Sequence, residues 1–265
     1  MAETYDTIGV DYAQHRHADR RIARAIAGAL DGAHRIVNVG AGAGSYEPAD
    51  RCVVAVEPAI TMIRQRPEGA GPAIRARAEA LPFRDRSFDA ALAVLTIHHW
   101  SDWRAGLREM LRVSRDRVVL LTWDPESGGF WLTDDYLPDL LVADSRHFPT
   151  MAALREALGA IQVDRVPIPW NCTDGFMGAY WRRPHAYLDP QVRGSISALA
   201  GGDVSVGLER LAADLDTGAW QRKHGRLLEQ DEADIGYRLV VARSLREPSK
   251  NCPEEPNGRT PSQHR

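Results

Sequence analysis

The sequence predicts an α/β protein in which a parallel sheet is covered by helices on both faces. Three observations carry this reading. Short runs dense in valine, alanine and leucine recur at 35–39, 52–57, 88–95 and 117–123. Stretches of helical periodicity precede or separate them. A glycine cluster, Gly40, Gly42 and Gly44 in VNVGAGAGSYE (37–47), follows the first run directly. Buried strands alternating with helices are the pattern of a sheet with no solvent-facing side.

The elements follow in order. Residues 18–31 place Ile22, Ile26 and Leu30 four apart, with Ala25 and Ala29 beside them, and Gly32 supplies a stop. RIVNV (35–39) and CVVAVE (52–57) are strands, and AIRARA (73–78) is a weaker one. FDAALAVL (88–95) and RVVLLTW (117–123) are clear strands. Between them Trp103, Leu107, Met110 and Leu111 mark a helix, with Ser101 and Asp102 as cap candidates. Residues 125–148 carry Phe130, Trp131 and Tyr136, which read as exposed. A helix is expected at 150–159, with Met151, Leu154 and Leu158 on one face and Gly159 at its end. IQVDRVPIPW (161–170) reads as a strand interrupted by Pro167 and Pro169. Residues 174–230 read as largely helical, with Leu208, Leu211 and Leu215 on one face. IGYRLVVAR (235–243) is the final strand, and the polar, proline-containing stretch from Glu247 predicts disorder.

The totals bound the function. The chain has 265 residues, 44% hydrophobic and 26% charged, which suits one large globular domain with an elaboration. A net charge of -3 provides no global basic field for nucleic acid or a membrane surface. The basic residues are almost all arginine, Lys223 and Lys250 being the only lysines. Cys52, Cys172 and Cys252 lie far apart with no CxxC pair, which fits a reducing compartment without disulfides or structural zinc. No apolar run approaches the ~18 residues of a membrane span, and the N-terminus lacks a signal-peptide segment. A cytoplasmic protein without a bound metal is the expectation.

Right-handed crossovers put the carboxyl ends of parallel strands on one edge, where ligands of such sheets bind. The glycines, Glu57, Ala78, Glu79, His98 and His99 should therefore meet on one rim. The dinucleotide fingerprint requires GxGxxG, but here the register is GxGxG, with Ser45 at the sixth position. Only SYEPAD separates Gly44 from Arg51, with Pro48 inside it, so a long helix aimed at a pyrophosphate is not expected. No lysine is present for a P-loop. A nucleoside ligand without phosphates remains, and Glu57, held extended before Pro58, is placed to accept from two vicinal ribose hydroxyls.

The series VNVGAGAG, VEP and AEALPFRDRSFDAALAVLTIHHW resembles the class I S-adenosylmethionine-dependent methyltransferases. It is most similar to the broad small-molecule type with an LPF-x-x-x-SFD segment, the methyltransferase type 11-like group, over residues 5–124. The resemblance implies a seven-stranded Rossmann-like sheet whose last strand is antiparallel, matching IGYRLVVAR. It also implies a cofactor-covering segment at 1–34, a methyltransferase domain at 35–246 and a helical acceptor-pocket insertion at about 172–230, before the tail at 247–265. Carried over by position, Gly40, Ala41, Gly42 and Gly44 would line the methionine and ribose portions of S-adenosylmethionine. Glu57 would bind the ribose hydroxyls, Pro58 and Ala59 would flank the adenine, and Ala78 and Glu79 would border its other edge. Thr96 would lie near the sulfonium. Arg16, following Tyr5 and Tyr12 in the covering segment, would meet the methionine carboxylate. Two positions depart from the family. Many members carry an acid where Asn38 stands and an adenine-reading aspartate where Arg77 stands. Asn38 can still accept through its amide oxygen, whereas Arg77 cannot, leaving the adenine to backbone groups or Glu79. The segment 45–50 is also shorter than usual.

The implied activity is SN2 transfer of a methyl group to a small organic acceptor. Phe130, Trp131, Tyr136, Trp170, Phe176, Tyr180 and Trp181 fall where the acceptor pocket forms and suggest an apolar or aromatic molecule. His98 and His99 are the candidate general bases, although positioning alone can drive the transfer. Asp89 reads as structural, Arg182 and Arg183 as a solvated pair, and Cys172 as inert. Two rivals stand beside this reading. A nucleic-acid (RNA) methyltransferase is opposed by the negative charge and by TIHH where base amino-methylating relatives carry [ND]PP[YFW]. A non-catalytic binding or regulatory protein that keeps the cofactor fold is left open by Asn38 and Arg77. A nicotinamide dehydrogenase is disfavoured by the glycine register.

Overall fold

A computed structural model describes residues 16–200 and 203–243. The strands are β1 (Arg35–Val39), β2 (Cys52–Val56), β3 (Ala73–Ile74), β4 (Phe88–Val94), β5 (Ser114–Trp123), β6 (Ile161–Arg165), β7 (Ile168–Pro169), β8 (Glu232–Ala233) and β9 (Tyr237–Arg243). Seven of them form one sheet in the order β3-β2-β1-β4-β5-β9-β6. Neighbours from β3 to β5 are parallel. The last strand, β9, runs antiparallel to both β5 and β6, with Leu121 opposite Leu239 and Val163 opposite Val240.

Alternating side chains send each strand into two separate cores. Val37, Val39, Ala91, Ala93, Val118 and Leu120 pack on one face with Leu107, Met110 and Val113 of helix Trp103–Val113 and with Leu154 and Leu158 of helix Met151–Leu158. Ile36, Ala90, Leu92, Val119 and Leu121 pack on the other face with Ile22 and Ile26 of helix Arg20–Ala29 and with the segment that follows β7. Side-chain caps start these helices. Asp19 accepts from the Arg21 amide, Asp102 from Ala105 and Thr150 from Ala153. Asp89 straps β4 to the start of β1 by accepting from the amides of Arg35 (2.8 Å) and His34 (3.0 Å), and these donors hold its carboxyl below the usual range.

Between β7 and β8 the chain forms short helical segments, the longest being Ser205–Asp216 with Leu208, Leu211 and Leu215 buried. The β7·β8 ladder, Ile168 opposite Ala233, brings the two ends of this excursion together. Two sequence expectations change, and a third holds. AIRARA contributes only two residues to the sheet, because Arg75 and Arg77 beyond them are exposed. Residues 45–50 form turns, in line with the expectation that no long helix fits there. Trp131 and Tyr136 are buried rather than exposed. Trp131 packs edge-on against Tyr187 and Trp220 and donates to the Trp181 carbonyl, while the Tyr136 hydroxyl donates to Asp214.

Residues 1–15 of the predicted covering segment, with Tyr5 and Tyr12, lie outside the described residues. So do the predicted tail from Glu247 and Cys252 within it. Among the described residues no helix is long and apolar enough to cross a membrane, and no group of His, Cys, Asp and Glu is arranged to hold a metal ion.

Candidate active site

The glycine turn is built by backbone contacts as much as by glycine. After β1 the amides of Gly40 and Ala41 both donate to the Val56 carbonyl at 2.8 and 3.0 Å, tying the turn to the end of β2. Gly40 and Gly42 have φ of 68° and 53°, the left-handed region that glycine enters without penalty. A methyl group at Gly40 would overlap the Thr96 side chain, so Gly40 is where the turn passes against the end of β4. The Glu57 carboxylate completes the turn. One oxygen accepts from the Gly42 amide and the other from the Ala59 amide, each at 2.9 Å.

This edge encloses a cleft of about 190 Å³ lined by Gly40, Ala41, Gly42, Glu57, Pro58, Ala78, Glu79, Thr96, Arg16 and His99, with Asn38, Arg77 and Leu95. Residues from five separate segments thus meet, four of them following strands as the topology requires. Gly44 does not line the cleft. It turns toward Arg66 and Glu47 behind the loop.

Those two residues account for Asn38. Arg66 grips Glu47 through both terminal nitrogens, at 2.9 and 2.7 Å. A Glu47 oxygen also accepts from Asn38 Nδ2 at 3.1 Å. A carboxylate can only accept, so this contact fixes which way the amide faces. Asn38 Oδ1 is then buried with no hydrogen-bond partner among the described residues, on a residue that lines the cleft. An acid at position 38 would set a second carboxylate against Glu47.

Glu79 is engaged at the start of helix Trp103–Val113, accepting from the Ser101 hydroxyl (2.8 Å) and the Asp102 amide (3.1 Å). Burial pushes its carboxyl up, but these donors outweigh burial and hold it below its ordinary value. Arg16 joins the cleft to the segment beyond β7. Its Nε donates to Asp174 at 2.7 Å, and Asp174, fully buried, also accepts from the Tyr46 hydroxyl at 2.8 Å.

A second cavity of about 260 Å³ adjoins the cleft, and Arg16, Leu95 and His99 line both. Leu95 follows β4 with φ of 50°, a conformation that bulky side chains rarely adopt and that marks strain at functional edges. His98 lines the second cavity alone, stacked on Phe148 (centroids 4.0 Å, 19°) and against His99 (3.8 Å). Burial, then His99, His147 and Arg16, hold the His98 imidazole well below its ordinary range. Burial, then Arg16 and His147, pull His99 down to about 4. Both rings are therefore neutral at pH 7.

Of the seven aromatic residues singled out from sequence, only Phe130 and Phe176 line this cavity. Trp131, Tyr136, Tyr180 and Trp181 are buried side chains of the core, and Trp170 is exposed beneath Arg182. Arg182 and Arg183 are not simply solvated. Arg182 donates to the Gln230 carbonyl, and Arg183 to those of Cys172 and Ala179. Cys172 is buried, which pushes its thiol up to about 12 and leaves it inert. Sequence reasoning missed Trp123, Asp144, Phe148 and Tyr237, which also line the cavity. They come from three places in the chain, Asp144 and Phe148 sharing one turn, and no local motif links the three.

Known proteins match this arrangement. The family described as Methyltransferase domain matches residues 37–122, from β1 through β5. The crystal structure of a presumed methyltransferase from an antibiotic biosynthesis pathway of Anabaena variabilis ATCC 29413 is 35% identical. The match covers 86% of this chain and 99% of that one, with a TM-score of 0.80. The uncharacterized methyltransferase YcgJ of Bacillus subtilis is 31% identical over 42% of this chain and 44% of its own. Phosphoethanolamine N-methyltransferase 2 of Haemonchus contortus, solved with S-adenosylmethionine, shares the fold at 13% identity and a TM-score of 0.53, over 91% of this chain and 56% of that one. The chain spans less than half the length of the curated relatives it matches.

Proposed function

The chain belongs to the class I S-adenosylmethionine-dependent methyltransferases, and on that premise we propose that it methylates a small organic acceptor held in the second cavity. The observation that carries this is the shared wall. Arg16, Leu95 and His99 border both the cleft at the glycine turn and the aromatic cavity beside it. A donor and an acceptor occupying the two spaces would meet at the end of β4.

The cleft residues fit the cofactor. Asn38 Oδ1 needs a hydrogen-bond donor, and the methionine ammonium of S-adenosylmethionine is one. Glu57 stands at the end of β2 with a carboxylate whose lone pairs suit vicinal hydroxyls. The glycine turn presents backbone without side chains on the same wall. When bound, S-adenosylmethionine supplies a methyl group activated by its sulfonium. The protein contributes position. The strained turn at Leu95 sets the boundary between the two spaces, and the neutral His98 and His99 rings place no positive charge beside it. The apolar and aromatic lining of the second cavity suits a small apolar or aromatic acceptor better than a polymer.

Incubation with methyl-labelled S-adenosylmethionine and a metabolite extract, followed by mass analysis, tests this reading. Label should appear in one or a few small molecules. Label confined to RNA, or no transfer despite tight cofactor binding, would overturn the assignment of the acceptor.

A further inference from the structure

The second cavity holds one acid whose role the methyl transfer does not explain. Asp144, in the last turn of helix Pro138–Ser145, lines the cavity and is half-buried. Among the described residues nothing donates a hydrogen bond or ion pair to its carboxylate. Burial pushes its carboxyl up, and His147 offsets this only in part. Of the other ionisable groups in the lining, Arg16 is bonded to Asp174, and His147 Nδ1 lies 2.8 Å from the Ala143 carbonyl. A half-buried carboxylate in an aromatic cavity is costly unless something donates to it.

The surroundings narrow that something. His147 and Phe148 follow Asp144 on the same turn, their amides donating to its carbonyl at 2.9 and 3.3 Å. Acid and ring are thus fixed together. Phe130, Phe176 and Trp123 complete an aromatic lining, and Asp144's charge reaches Tyr237 within it. A carboxylate beside aromatic faces is the chemistry that holds an ammonium, which offers three donors, accepts none and is drawn to ring faces. A carboxylate-bearing acceptor would be repelled by Asp144. Asp144 lines this cavity and not the cleft, whereas Arg16, Leu95 and His99 line both.

We propose that the acceptor carries a protonated amine, anchored by Asp144 and the neighbouring rings in the part of the cavity that the cofactor cleft does not share. This rests on the methyltransferase reading and deepens it. The ammonium is an anchor, and the methylated atom is a different one, placed near His99.

The experiment uses the full chain saturated with S-adenosylhomocysteine and titrates two probes of similar size, 2-phenylethylamine and 3-phenylpropanoate, followed by calorimetry and ligand-observed NMR. The amine should bind at least about tenfold more tightly than the carboxylate, the scale of a hydrogen bond to a charged group. Asp144→Asn should remove that preference while leaving S-adenosylhomocysteine affinity and the unfolding midpoint unchanged, since the side chain holds nothing in the fold. Tighter binding of 3-phenylpropanoate, binding of neither probe, or an amine affinity indifferent to Asp144→Asn would overturn the proposal and leave the methyltransferase reading intact. Failure of S-adenosylhomocysteine itself to bind would overturn that reading, and this proposal with it.

Discussion

The Gly42 amide donates to Glu57 Oε2 at 2.9 Å, so the acid at the end of β2 holds the glycine turn at the end of β1. Its other oxygen holds the Ala59 amide. Glu57 therefore shapes the cleft as well as facing it. Glu57→Ala should lower folding stability by about 1–3 kcal/mol, because two backbone donors lose their acceptor. It should also weaken S-adenosylhomocysteine binding by at least about tenfold. Urea unfolding and calorimetry on the same variant check both. Stability and affinity both at wild-type levels would contradict the role given to this contact.

Gly40 and Gly42 both sit at positive φ, but only Gly40 is crowded by Thr96. At Gly42 an added methyl group would meet only the terminal methyl of Met62 at 3.2 Å, and that group can move. Gly42→Ala should cost about 1–2 kcal/mol from backbone strain alone. Gly40→Ala should cost roughly 1–3 kcal/mol more, from overpacking against β4. Denaturant unfolding of the two variants gives the order directly, and a reversed order would mean that the turn packs differently.

Asn38 sits beside a carboxylate, which predicts a non-additive pair. Asn38→Asp should destabilise the fold by roughly 1–3 kcal/mol, since it replaces a donor to Glu47 with a second acid. In a Glu47→Gln background the same substitution should cost much less, because the glutamine amide can donate. A double-mutant cycle by thermal unfolding checks this. Additive effects would show that Asn38 and Glu47 are not coupled.

His99 has its pKa pulled down to about 4, and His98 is pulled well below its ordinary value. The folded state then binds fewer protons than the unfolded chain between the two pKa values. Stability from these rings is complete above an unfolded pKa of about 6.5 and is lost as pH falls toward 4. His99→Gln should flatten that acid loss, read from unfolding midpoints between pH 4 and 7. The rate of methyl transfer should show no acidic limb near pH 6 to 7 from either ring. His98→Ala and His99→Ala should each slow turnover by less than about tenfold, whereas loss of a general base costs about 10²–10⁴-fold. A larger loss, with a limb near neutrality that vanishes in the variant, would assign base catalysis to that histidine.

Most of the sheet was legible because the central stretches of β1, β2, β4 and β5 are buried on both faces and so read as largely apolar runs. The meeting of Glu57, Ala78 and His99 followed from topology alone, since parallel strands deliver their carboxyl ends to one edge. Trp131 and Tyr136 misled because Asp134, Asp135 and Asp139 surround them in sequence, while Tyr187, Trp220 and Asp214, which bury them, lie 50 or more positions later. The second cavity was hidden for the same reason. Trp123, Asp144, Phe148 and Tyr237 belong to two strands, a helix and a turn, and only the folded chain sets them around one space.

The central claim is that the cleft between the glycine turn and Glu57 takes a sulfonium nucleoside. Isothermal titration of the full chain with S-adenosylmethionine, S-adenosylhomocysteine and NAD(H) tests it most directly. Affinity for the first two should fall in the micromolar range, on the order of −8 kcal/mol, with NAD(H) much weaker and Glu57→Ala impairing the first two. Tighter binding of NAD(H), or no measurable binding of either S-adenosyl compound, would contradict the account.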